Sequence, residues 1–415
     1  GADFLETWGS PVEQARRFAE AHGFRNGAMA KFVFVGPRLS LTGANADEWV
    51  PARPGTEFWL ALGMARAIVA SGRARASTAE LGDLLDPFTP EAVEAATGVP
   101  AARVEALARE FADADPGLAL PGGAALEGAQ ATAAHVAVNL LNYVAGNVGR
   151  TLRFGTGPTP GRASSFREFV AFTEALGRGE VQMLLIRDAN PVHTLPGPLA
   201  AAFAEALESR VPAVVAFARV LDETAARAHL VLPDHHPLEA WGDVPARPGV
   251  VGLQQPVMRP VFESRAAGDV LLAVARALGP GVAERFPWPD LHALLRERWR
   301  ELARALAPER APDEVWAQAL RQGGLSLEPR AREVRLSPEV RRVRFEPPEL
   351  EGPPDGLVLV VYPHPYWYDG RGADKPWLQE LPDPMTRIAW TAWAELHPKT
   401  ASRLGVRNGD LVELR

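Results

Sequence analysis

Apolar residues follow two alternating rhythms along the chain. Short continuous runs at Phe32-Val33-Phe34-Val35, 181–186, 211–217 and 230–232 predict buried strands. Spacing of three and four predicts helices over 11–21, 58–70, 101–112, 129–145, 165–176, 198–208, 269–278 and 291–306. Another helix begins at Pro90, with Thr89 as N-cap and proline in its first turn. Strands alternating with helices of this length are the pattern of βαβ units on a parallel sheet. Residues 118–120 and 357–361 also read as strands, and Leu411-Val412-Glu413-Leu414-Arg415 alternates like one.

The rhythm defines the organisation. It runs through 1–150 as a first α/β domain and restarts in 151–306 as a second. From 307 to 355 the periodicity weakens and Arg, Glu and Pro accumulate, which reads as a linker or surface excursion. Residues 356–415 are rich in aromatics and turns and read as a separate β-rich unit. An offset of 182 aligns Thr42, Ala44, Ala46, Pro51 and Glu57 with Thr224, Ala226, Ala228, Pro233 and Glu239. Each copy follows a strand and an arginine, Arg38 or Arg219. Duplication of an α/β domain explains this, with coincidence plus shared βαβ geometry as the alternative.

The 415 residues suffice for two or three domains at about 150 residues each. The net charge of −7 argues against a chain-wide nucleic-acid binder. Lysine occurs only at Lys31, Lys375 and Lys399 among 44 basic residues. That arginine excess fits a GC-rich genome as well as anion binding. With no cysteine, residues 1–415 hold no disulfide, thiolate zinc site, cysteine nucleophile or cysteine-held iron–sulfur cluster. No apolar run approaches the roughly 18 residues needed to span a membrane. The chain starts at Gly1 without Met and stops within an alternating run, so a piece of a longer polypeptide is expected.

In an open parallel sheet, ligands gather at the carboxyl ends of the strands. The candidate loops are 1–7, 36–42, 187–194 and 218–224. In Arg53-Pro54-Gly55-Thr56-Glu57, Thr56 is a candidate N-cap, and the free amides of a helix start favour a phosphate or a base carbonyl. Arg38 and Arg53 suit bidentate phosphate contacts, and Glu57 suits two hydrogen bonds from a guanine edge. Each segment alone reads equally as a turn with a surface charge. His193 sits in a strand-end loop; the adjacent His235 and His236 point to opposite faces and make poor joint metal ligands. No GxGxxG, Walker motif, nucleophile elbow or HExxH is present. No metal ligand and no catalytic residue is assigned.

Several of these segments resemble molybdopterin oxidoreductases of the dimethyl-sulfoxide-reductase type. They are Arg38 to Thr42 with Ala44, Ala46-Asp47 and Pro51, then Arg53 to Glu57, Asn190-Pro191, Asp222 to Ala225, Leu230 to Pro233, and Glu239 with Gly242. Glu395-Leu396-His397-Pro398 through Gly409-Asp410 resembles the entry to that family's double-psi barrel. Phe4 to Trp8, Leu39 to Asp47, Asp234 to Asp243, Gln254 to Val257, Tyr362 to Tyr368 and Pro376 to Pro382 resemble a narrower group. This is the iron–sulfur, molybdopterin-like large subunits of alternative complex III, described as lacking molybdenum cofactor.

The resemblance implies two duplicated Rossmann-like parallel-sheet domains plus the start of a double-psi β-barrel. It implies that Asp3, Phe4, Glu6, Arg38, Thr42, Arg53, Gly55, Thr56 and Glu57 would line one molybdopterin guanine dinucleotide. Asn190, His193, Arg219, Asp222 and Thr224 would line the other. The family's metal ligand would lie upstream of Gly1. The implied role is electron transfer from quinol toward periplasmic carriers, with iron–sulfur and membrane-anchor subunits or domains as partners. The implied place is the periplasmic face of the cytoplasmic membrane, with the cytoplasm as alternative. The leading expectation is an oxidoreductase subunit with a vestigial cofactor cleft, this chain alone not being catalytic. The alternatives are a molybdenum enzyme acting on polysulfide, thiosulfate or tetrathionate, and a structural scaffold for partner subunits.

Overall fold

The computed structural model describes residues 1–24, 27–157, 163–350, 353 and 356–414. Its contacts form two compact units, Gly1–Pro51 with Leu359–Arg415, and Ala52–Val358. The architecture is mixed α/β with parallel sheets.

In the first unit, β1 (Val33–Val35) pairs in parallel with β2 (Glu48–Val50). The helix Pro11–His22 docks through aromatic packing: the rings of Phe4, Phe18 and Phe32 lie 5.4–5.8 Å apart in all three pairs. Such contacts favour tilted or edge-on geometry. The turn after β1 leads into a short helix, Leu41–Ala44, capped by Ser40, whose hydroxyl accepts from the Gly43 N–H at 3.2 Å. A β-carbon on Gly43 would lie 2.8 Å from the Phe34 ring, so glycine is what lets this turn sit on the strand.

The second unit begins with a helical layer. The apolar helix Glu57–Ala70 packs against Pro90–Thr97, Ala101–Asp113 and Ala131–Val144. Phe58, Leu60, Leu62 and Ile68 are fully buried there. Thr89 caps the Pro90 helix as its sequence predicts, accepting from Ala92 N–H at 3.2 Å.

Next comes a parallel sheet of order β3-β4-β5, formed by Met183–Arg187, Ala213–Ala218 and Leu230–Pro233. Helices Phe166–Gly177 and Gly197–Ser209 cover one face, with Leu176, Phe203 and Leu207 packed on Ile186 and Val214. A third block pairs antiparallel strands β6 (Gly242–Arg247), β7 (Val250–Gln254) and β8 (Gly324–Ser326) with helices Leu291–Leu306 and Pro312–Gln322. Trp299 and Trp316 anchor its core.

The register carries the repeat further than residue identities do. The first sheet pairs Val33 with Glu48, Phe34 with Trp49 and Val35 with Val50. Adding 182 to every number gives Val215 with Leu230, Ala216 with Val231 and Phe217 with Leu232, which is the observed β4–β5 pairing.

Three strand expectations are not met. Residues 118–120 form no strand because a side chain does the work of a neighbouring ladder: Asn142 accepts from Ala119 N–H at 2.9 Å and donates to its carbonyl at 2.8 Å. Residues 357–361 and 411–414 form none either; most of them are exposed, and without a buried face neither an apolar run nor an alternating pattern selects a register. Arg415 lies outside the described residues. Conversely, the 307–355 stretch contains an ordered helix and strand, held by the stripe Val315, Trp316 and Ala319. This short apolar stripe, in a stretch rich in Arg, Glu and Pro, does not stand out in the sequence.

Candidate functional site

The sequence candidates fall into three groups. Asn190, His193, Arg219, Asp222 and Thr224 converge where β3 and β4 end. Thr224 is buried; its hydroxyl donates to Asn190 Oδ1 at 2.7 Å and accepts from Val192 N–H at 3.1 Å. Asp222 Oδ1 accepts from the N–H groups of Thr224 and Ala225, at 3.1 and 2.8 Å, and so shapes the turn. The remaining donors face two acids absent from the sequence candidates. Arg219 is hydrogen-bonded to Asp188. Asn190 donates to Glu223 Oε2 at 2.7 Å, and His193 Nδ1 lies 3.9 Å from Glu223 Oε1. The Asn190 hydrogen bond, ahead of the nearby cations, holds the Glu223 carboxyl below its usual range. Asp188 has φ 49, in the left-handed region that L-residues adopt at a cost and that Asp tolerates better than most.

The first unit repeats this plan with Asp3, Glu6, Arg38 and Thr42. Buried Thr42 accepts from Leu5 N–H at 3.2 Å through its hydroxyl, as Thr224 does from Val192. Glu6 Oε1 accepts from Thr42 N–H at 3.3 Å. Burial, reinforced by the charge of Asp3, raises the Glu6 carboxyl above its ordinary value. Arg38 lies 3.8 Å from Asp3 and stacks 3.6 Å from the Tyr362 ring centroid. Tyr362 in turn donates to Glu395, and Trp393 Nε1 donates to Tyr362 at 2.9 Å. Burial and the Glu395 carboxylate push the Tyr362 phenol well above its ordinary value. Phe4 belongs to the aromatic packing under the Pro11–His22 helix.

The third group is the turn before the Glu57–Ala70 helix. Arg53 donates to the carbonyls of Ala95 and Ala96, capping the C-terminal end of the Pro90–Thr97 helix. Thr56 donates to the Arg53 carbonyl at 2.7 Å and makes no side-chain cap. Gly55 has φ 78, and a β-carbon there would meet Pro348 at 3.0 Å. The chain bearing Pro348 is pinned across this region. Arg341 donates to the carbonyls of Glu80 and Ala79, and Phe345 meets Phe88 edge-on at 5.9 Å.

Glu57 differs from all of these. Both its carboxylate oxygens are buried and make no hydrogen bond of normal geometry; burial raises its carboxyl above the ordinary value, opposed by the nearby backbone N–H groups of Glu57 and Gly55. An acid with a raised folded pKa adds stability below its unfolded pKa and loses that contribution as pH rises through the folded value. Glu57→Gln is therefore expected to raise the melting temperature relative to wild type at pH 8. The difference should shrink toward pH 4; differential scanning fluorimetry across that range checks it.

A dinucleotide needs cationic donors for its phosphates and acceptors for its base. Glu57 fits the second requirement. Arg38, Arg53, Arg219, Asn190 and His193 do not fit the first, because carboxylates, carbonyls or an aromatic face of the chain already engage them. As a set, the residues do not fit the group.

His235 Nδ1 lies 2.8 Å from Ser264 Oγ, while His236 accepts from Leu238 N–H at 3.2 Å. Asp234, between them and β5, is buried and accepts from His235 N–H, Ala267 N–H and Arg187 Nε at 2.8–2.9 Å. Among the described residues, no three His, Asp or Glu side chains gather to hold a metal ion, and no helix is long and apolar enough to cross a membrane.

The family model for molybdopterin oxidoreductase matches residues 2–277. The chain is 34% identical over 298 residues to the menaquinone reductase molybdopterin-binding-like subunit of Nitratidesulfovibrio vulgaris, covering 67% of this chain and 42% of that protein. It is 24% identical over 331 residues to a putative dimethyl sulfoxide reductase chain of Escherichia coli, covering 63% of this chain and 40% of that one. The chain thus spans about two fifths of the length of these curated relatives. Among solved structures, acetylene hydratase from Pelobacter acetylenicus shares the fold with a TM-score of 0.54 at 17% identity. That match covers 77% of this chain and 49% of the other.

Proposed function

The chain belongs to the molybdopterin oxidoreductase family, and from that premise we propose that it is a non-catalytic subunit of a membrane-associated respiratory redox complex that passes electrons from quinol toward a periplasmic carrier. The family implies a molybdopterin cofactor. One observation carries the reading against a loaded cleft: the donors that would grip phosphates are spent on the chain's own groups. The likeness to a protein named as a molybdopterin-binding-like subunit of a menaquinone reductase supports the respiratory role.

Within this reading, 1–150 and 151–306 are duplicated Rossmann-like domains. The shared 182-residue offset in strand register supports that division. Residues 307–355 connect them to 356–415, read as the entry to a double-psi barrel carrying the guanine-dinucleotide-binding fold. Because the chain has no cysteine, iron–sulfur centres belong to other domains or subunits. The subunit sits peripherally on the periplasmic face, held by membrane-anchor partners.

A second reading has one observation in its favour. The buried Glu57 carboxylate, which makes no hydrogen bond of normal geometry, suits a guanine edge, as a working molybdenum oxidoreductase requires. Purification of the full polypeptide from its native membranes separates the two. The first reading expects it to co-purify with iron–sulfur and membrane-anchored subunits and with quinol-oxidising activity. Isolation as a lone species that reduces a small oxidised substrate contradicts it.

A further inference from the structure

One cluster in the first unit has no role in the function proposed above. The Tyr362 hydroxyl donates to the Glu395 carboxylate. Trp393 Nε1 donates to the Tyr362 hydroxyl at 2.9 Å and to Glu395 Oε1 at 3.0 Å. A phenol, an indole and a carboxylate thus share one hydrogen-bonded triangle. Further aromatic rings continue from it. Trp393 meets His364 edge-on at 5.2 Å, and His364 stacks on Trp367 at 4.1 Å. The Arg38 guanidinium lies 3.6 Å from the Tyr362 ring centroid.

We propose that Tyr362 is a redox-active tyrosine, which gives one electron to a high-potential metal complex acting as one-electron oxidant and its phenolic proton to Glu395. The O–H bond breaks and the proton joins the Glu395 carboxylate. The products are a neutral tyrosyl radical, a protonated carboxyl and the oxidant reduced by one electron.

The surroundings supply what this step needs. A phenol that loses an electron becomes a strong acid, so its oxidation is easiest where a base already holds the O–H. Glu395 is that base, and the shared hydrogen bonds polarise one another. The Arg38 cation makes a cationic ring costly, so proton loss accompanies electron loss. Glu395 is exposed, so the proton it receives passes on to water. Trp393 and Trp367 are oxidisable rings in series with Tyr362, and they extend the reach of an oxidant beyond direct contact. With no cysteine in residues 1–415, no thiol of this chain competes for the oxidising equivalent.

The tyrosines are few: Tyr143, Tyr362, Tyr366 and Tyr368. Tyr366 directs its hydroxyl at the Pro382 carbonyl, a weak base. Tyr143 also has an acid partner, Glu80, and is the rival site.

The experiment is flash-quench oxidation of the full polypeptide by photogenerated tris(bipyridine)ruthenium(III). Transient absorption follows radical formation, electron paramagnetic resonance identifies the radical, and far-UV circular dichroism monitors folding. Wild type is expected to give a neutral tyrosyl radical that Tyr362→Phe removes. Glu395→Gln keeps a hydrogen-bond acceptor but loses the base. It is expected to slow formation about a hundredfold, within the range a positioned base contributes. If Tyr362→Phe unfolds the unit, a ring-fluorinated tyrosine at position 362 replaces it, and the hyperfine pattern of the radical is expected to change. A tyrosyl signal undiminished by Tyr362→Phe, or unaltered by the fluorinated ring, overturns the proposal. So does equally fast formation in Glu395→Gln, or a wild type that yields only a tryptophan radical.

Discussion

Replacing Asp234 by Ala is expected to destabilise the second unit by about 2–5 kcal/mol, through a carboxylate to which the sequence assigns no role of its own. The side chain is 6% exposed and holds three donors. Its Oδ1 takes the N–H of His235, just after β5, and that of Ala267, which opens the helix Ala267–Ala277. Its Oδ2 takes Arg187 Nε, at the end of β3. Alanine leaves two backbone donors without their acceptor, at about 1–3 kcal/mol each. The Arg187 contact adds little, because that side chain is 62% exposed and turns to water when released.

The conservative variant sharpens the expectation. Asp234→Asn keeps Oδ1 for both N–H groups and loses only the ion pair, so it should cost under about 1 kcal/mol. Urea denaturation of the two variants checks the difference. A large loss in both would make the charge, rather than the paired backbone donors, the source of the stability.

Asp234 also illustrates what a sequence can disclose. Its neighbours His235 and His236 attract attention as titratable side chains, yet the acid beside them organises the strand end. Nothing local marks it, because its partners come from 47 and 33 residues away. Asp188 and Glu223 are hidden in the same way: their partners lie 31 and 33 residues off in the chain. A signal was present, since both stand in strand-end loops that already hold candidate residues. Reading those loops for acids as well as for donors would have found the pairing.

Local periodicity was more informative. Helices Glu57–Ala70, Ala101–Asp113 and Leu291–Leu306 form where apolar spacing places them: the last two each bury one stripe, and Glu57–Ala70 is buried on nearly all sides. The 182-residue offset is legible in a few identities, and all three residue pairs of the first sheet recur at that offset in the β4–β5 register. Legibility fails where tertiary partners replace a local pattern. Asn142 satisfies Ala119 in place of a ladder, and Trp316 organises a helix with few apolar neighbours.

The strongest consequence is compositional, and it concerns the whole polypeptide rather than any one side chain. If the cofactor that the family resemblance implies were loaded, molybdenum and guanine dinucleotide would be expected in fixed proportion to protein. The arginines proposed to meet dinucleotide phosphates are engaged in both units: Arg38 by Asp3 and Tyr362, Arg53 by helix-end carbonyls, and Arg219 by Asp188. Phosphate binding at any of these arginines would require breaking its present contact. Glu57 alone does not compensate, because one base contact leaves the phosphate charges unmatched.

The direct measurement is molybdenum by mass spectrometry, together with GMP released by acid hydrolysis, per polypeptide in full-length protein purified from its native host under anaerobic conditions. With the phosphate donors engaged by the chain's own groups, neither is expected above trace. Molybdenum and GMP in stoichiometric proportion to the protein would contradict that expectation.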